Sequence, residues 1–151
     1  MKSLLLSLAL TTCISSAFSA DINNKNNQHI QNKILVQNFW NALFNEHKIA
    51  VIDELVDEKY IQHNPSFKDG KNAFKNGMEG FLKEFPKSSA KIKNIGSDDD
   101  LVFIHNHIKL NENDKGQAAV DIFRVKDGKI VEHWDVIQDI PEKSENQNTM
   151  F

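Results

Sequence analysis

The 151-residue chain predicts an α+β domain in which helices come first and an antiparallel meander follows. Three observations carry this. Apolar residues recur at helical spacing as far as Phe85, the period changes to two from Ser89, and Lys126-Asp127-Gly128-Lys129 places a tight hairpin turn between two alternating runs. With 40% hydrophobic residues and ten Phe, the chain has enough apolar volume for one core and too little length for several domains.

The first residues read differently from the rest. Lys2 precedes the apolar run Leu4-Leu5-Leu6-Ser7-Leu8-Ala9-Leu10, and small residues lead to Ala17-Phe18-Ser19-Ala20. That order is a secretory signal peptide over residues 1–19, with cleavage after Ser19, or alternatively after Ala17, and a periplasmic or secreted mature protein. The run is too short to span a bilayer, which takes about 20 apolar residues. Cys13, the only cysteine, lies inside this segment, so the mature chain has neither a disulfide nor a thiol nucleophile.

Residues 20–29, rich in Asn, Lys and Gln, are expected to be a disordered lead-in, with the domain spanning 30–151. Ile30, Ile34, Leu35, Phe39, Trp40, Leu43 and Phe44 then form one stripe of a helix ending near Asn45. Ile49, Ile52, Leu55 and Val56 suggest a short second helix, after which His63-Asn64-Pro65 turns the backbone. Asp69-Gly70 signals a turn, and Ala73, Phe74, Met78, Phe81, Leu82 and Phe85 give a third helix stopped by Pro86. Strands are expected at 90–95, 101–110, 117–125 and 129–137.

Net charge is −3, no basic block is long enough to track phosphates, and Arg124 is the only arginine, which excludes nucleic acid as a natural partner. A small, weakly charged ligand fits better. Asp121, in the middle of Ala118-Ala119-Val120-Asp121-Ile122-Phe123, runs against strand propensity and costs free energy if buried unpaired. Its neighbour depends on the hairpin: a two-residue loop sets Asp121 opposite Trp134, a three-residue loop with a bulge sets it opposite His133. A structural ion pair is the plain alternative, although Arg124 falls on the other face of the strand. Phe103, His105, His107 and Lys109 share one face of their strand, and Val102, Ile104, Asn106, Ile108 and Leu110 the other. The second set reads as core, which turns the histidines toward solvent or a second subunit; the alternative lines a cavity with them. His63, Asp121 and the His-x-His pair together would also suit zinc, but no ligand-spacing signature supports a metal.

The stretches Tyr60-Ile61-Gln62-His63-Asn64-Pro65, Val102-Phe103-Ile104-His105-Asn106-His107, Val120-Asp121-Ile122-Phe123-Arg124-Val125 and Asp127 to Gln138, with the ending Asn148-Thr149-Met150-Phe151, resemble the SnoaL-like polyketide cyclases of the nuclear transport factor two-like superfamily, especially a bacterial branch of predicted aldol-condensation catalysts. The resemblance implies a cone-shaped fold whose N-terminal helices pack on a strongly curved antiparallel sheet enclosing a pocket, commonly as a homodimer. It also implies acid/base chemistry on a small carbonyl-containing hydrophobic molecule, with no metal or organic cofactor. The strand aspartate of the cyclases carries over onto Asp121 as the base. His107 becomes the candidate donor to an enolate oxygen, and His63, Asn64 and His105 candidate substrate contacts. Trp134 and Trp40 are candidate apolar walls for the ligand, or plain core. The competing reading is a non-catalytic module of the same fold that binds a small hydrophobic ligand.

Overall fold

The computed structural model describes the backbone from Ser7 and the side chains from Asn24 through Phe151; the start of the segment read as a signal peptide lies outside the described residues. Helix α1 (Ser7–Phe44) is followed by α2 (Ala50–Leu55), β1 (Val56–Gln62), α3 (Lys71–Glu84), β2 (Ser89–Asp98), β3 (Leu101–Lys109), β4 (Gln117–Lys126) and β5 (Lys129–Asp139). The five strands form one open sheet in the order β1-β5-β4-β3-β2. Strands β2 to β5 are an antiparallel meander, but β1 pairs parallel with β5, so the sheet is mixed rather than wholly antiparallel.

Strand β1 replaces what periodicity reads as the end of the second helix and a loop. Only Val56 and Tyr60 of β1 are buried, and Asp57-Glu58-Lys59 lies between them. Such an edge strand lacks the alternating apolar run by which strands are recognised.

Helix α1 also departs from expectation. It passes unbroken through residues 20–29, whose polar side chains need no burial once a helix is nucleated; Gln28 Nε2 donates to Asn32 Oδ1 at 2.8 Å, one turn on. The buried stripe is Asn32, Val36, Phe39, Trp40 and Leu43, while Ile30 and Ile34 are exposed. This stripe covers the inner face of the sheet, where Val102, Ile104, Phe123, Val125 and Ile130 complete the core. Trp40 Nε1 donates to Ala90 O at 2.8 Å, and the Asn45 amide bonds both the N–H and the carbonyl of Ala90, tying α1 to β2.

The β4–β5 turn has the two-residue geometry expected of Asp-Gly: Asp127 at φ 51° and Gly128 at φ 72°. Val125 faces Ile130 as predicted. The register then shifts between Arg124 and Val125, so that Arg124 pairs with Glu132, Phe123 with His133, Ile122 with Trp134, and Asp121 with Asp135. Neither register drawn from loop length alone contains this bulge.

Candidate active site

A cavity of about 170 Å³ opens between the helices and the inner sheet face. Phe39, Trp40 and Phe44 of α1, Phe74, Met78 and Phe81 of α3, and Phe123 of β4 make most of its wall apolar. The polar groups converge from three strands and the loop after β1: Tyr60, Gln62, Asn64, Asp121, His133 and Asp135.

Asp121 is 4% exposed. Its Oδ1 lies 2.9 Å from His133 Nε2, and its Oδ2 accepts from Asn106 Nδ2 at 2.6 Å. Burial dominates the carboxyl's electrostatics and lifts it above the ordinary carboxylate range; His133 and Asn106 oppose that rise, and the nearby Asp135 adds to it. The polar partners of Asp121 are thus His133 and Asn106, not Arg124.

His133 is held from its other side. Gln62 Oε1 lies 2.9 Å from His133 Nδ1 and accepts the backbone N–H of Asn64 at 3.0 Å. A backbone N–H can only donate, so this atom of the amide is the oxygen, and Nδ1 of His133 is the protonated nitrogen that donates to it. Nε2 is thereby left to face Asp121. Asp135 accepts from Asn64 Nδ2 at 2.6 Å and stands opposite Asp121 in the ladder.

Of the residues singled out from sequence, Asp121, Asn64 and Trp40 line the cavity. His105, His107, His63 and Trp134 do not. The alternation in β3 buries Val102, Ile104 and Asn106, which sends His105 and His107 to the outer sheet face. There Phe151 packs on both rings, with centroids 4.5 Å from His107 and 5.5 Å from His105, and His107 Nε2 contacts Lys115 O at 2.7 Å. The bulge that pairs Trp134 with Ile122 also puts the indole on that outer face. His63 stacks on it at 4.6 Å and bonds Glu132 Oε1 at 2.9 Å, beside the Arg124 guanidinium. His107 and Trp134 thus stand on the opposite face of the sheet from Asp121 and the cavity.

Sequence reasoning names His133 only as the neighbour of Asp121 under a three-residue loop, and misses Gln62, Tyr60 and Asp135. The one available signal was Asn106, a polar residue on the face read as core. The zinc set of His63, His105, His107 and Asp121 is dispersed over both faces of the sheet. Asp121, His133 and Asp135 instead bring one ligand atom each within 4.8 Å of one another. Oδ1 of Asp121 and Nε2 of His133 already bond each other, so a metal there would have to displace that contact.

This layout, helices laid over one face of an open five-stranded sheet with a cavity between, recurs in solved proteins. It is similar to AclR from Streptomyces galilaeus, a proposed hydroxylase, at 24% identity and TM-score 0.61, covering 75% of this chain and 82% of that one. An epoxide hydrolase of the LEH-like type from M. tuberculosis matches at 20% identity and TM-score 0.60, over 74% and 85% of the two chains. Wild-type IdmH from Streptomyces antibioticus, a proposed polyketide cyclase, matches at 20% identity and TM-score 0.58, over 71% and 91%. These likenesses define a nuclear transport factor two-like fold. Residues 34–143 match the SnoaL-like polyketide cyclase model, and the chain belongs to that family. No curated protein matches it in sequence.

Proposed function

We propose that the protein is an exported acid/base catalyst that removes a proton α to the carbonyl of a small hydrophobic molecule, in an aldol-condensation or isomerase-like reaction needing no organic cofactor. The observation that carries this is Asp121: a carboxyl kept above its ordinary range by burial, in an apolar cavity, against an oriented imidazole. Its proton affinity is thereby brought nearer the working pH, as a base for carbon acids requires. His133 and Asn106 hold Asp121 in place, and the Phe-rich wall selects an apolar substrate.

The residues suited to export are those of the 1–19 segment, and N-terminal sequencing of the exported protein should begin at Ala20. The outer sheet face supports a homodimer: Val120 and Val136 are direct cross-strand partners, and Val136 is 73% exposed. Light scattering on the purified protein tests that.

The decisive experiment follows α-proton exchange of small ketones in D2O by NMR. Exchange above background that disappears in Asp121→Asn is the expected result. Absence of exchange across the panel, with ligands nonetheless bound in the cavity, would favour the non-catalytic binding module and remove the enzymatic reading.

A further inference from the structure

Tyr60 is 2% exposed and lines the same cavity as Asp121. Its hydroxyl oxygen accepts from Gln62 Nε2 at 3.0 Å. The orientation of that amide is fixed by the Asn64 N–H, so the group beside Tyr60 is the NH₂, and Tyr60 can only be the acceptor there. The phenol hydrogen is left over, and among the described residues no acceptor receives it. A buried donor without a partner is costly unless a ligand supplies one.

We propose that Tyr60 is the hydrogen-bond donor to the oxygen on which negative charge develops, and that Gln62 positions it. This rests on the enolate-forming reading of Asp121. In the step, the C–H bond α to the carbonyl breaks and its proton passes to the Asp121 carboxylate. The bonding pair forms the C=C bond, and the carbonyl π pair moves onto oxygen, which receives the Tyr60 O–H hydrogen bond without taking the proton. Burial, reinforced by the negative charges of Asp121 and Asp135, pushes the phenol well above its ordinary range, so it stays a donor throughout. The same amide that orients His133 for Asp121 thus also sets Tyr60, linking base and donor through one residue of β1.

The test uses 4-nitrophenolate as an enolate-like probe and nitrobenzene as its counterpart without an oxyanion, each titrated into the full chain. Tyr60→Phe should weaken the phenolate by about tenfold or more, because a hydrogen bond to a charged oxygen is lost, and leave nitrobenzene within about twofold. Gln62→Leu, which keeps the phenol but frees it, should weaken the phenolate selectively by about threefold or more. Equal weakening of both probes in both variants, an unchanged phenolate affinity in Tyr60→Phe, or no phenolate binding by the parent protein would overturn the inference. Ketone exchange separates it from the reading beneath it. Exchange that needs Asp121 but ignores Tyr60→Phe sinks the donor alone, whereas Tyr60-dependent phenolate binding without any exchange sinks the base and leaves the donor standing.

Discussion

Asn106 donates to Oδ2 of Asp121 at 2.6 Å while its own Oδ1, fully buried, meets no partner among the described residues. One half of the amide stabilises the carboxylate and the other half carries an unrelieved desolvation cost. A residue chosen for stability alone would not sit so. Replacing it with Leu removes the donor and the orphan together. Asn106→Leu should therefore raise the titration midpoint of Asp121 further, with little loss of stability, as read by carbon-detected NMR and a denaturant melt. A lowered midpoint would show that Asn106 does not stabilise the ionised form.

The elevated Asp121 carboxyl has a stability consequence whose sign is definite. The folded state binds this proton at higher pH than the unfolded chain does. Asp121's favourable contribution is therefore complete below the unfolded value and is lost as pH rises through the folded one. Asp121→Asn keeps the shape, accepts from Asn106 and donates to His133. It should melt a few degrees above the parent protein at neutral pH, with the gain vanishing in acid, while proton exchange is abolished. Melts of both proteins from about pH 3 to about pH 8 check this.

Gly116 has φ +82°, and a Cβ there would stand 2.1 Å from Ile108 O and 2.9 Å from His107 Nε2. A flexible side chain yields to such a contact, but a ladder carbonyl does not. Gly116→Ala should destabilise by about 2 kcal/mol or more, from the clash and the left-handed backbone together. Urea unfolding measures it, and a change below about 0.5 kcal/mol would contradict the tight approach.

Phe151 rests on His105 and His107, with Lys93 Nζ 4.8 Å from its ring centre. Removing Met150 and Phe151 should lower stability by about 1–2 kcal/mol, in keeping with partial burial of an aromatic ring. Because the contact lies on the outer face, ligand affinity in the cavity should not follow.

Much of the scaffold is legible in the residues. The Asp127-Gly128 turn announces its own geometry, and the β3 alternation separates Val102, Ile104 and Asn106 from the histidines before any coordinates exist. Asp121 is legible because a carboxylate inside an apolar strand needs a reason. Its partner His133 appears only as one of two alternatives, since one extra residue in β5 shifts every later pair, and no local propensity marks the place. Gln62 and Tyr60 were hidden for another reason. They lie on a parallel edge strand whose identity depends on β5, far along the chain.

That edge pairing has a temporal consequence. Tyr60 and Gln62 leave the ribosome early, but β1 has no strand to pair with until β5 has been made. Closing so long a loop is entropically slow, and the cavity's polar cluster can assemble only as the final strand docks. A fragment ending before His133 would hold helices and a partial sheet yet lack any competent site. Binding competence therefore waits for β5, and no copy terminated before His133 can compete for the ligand.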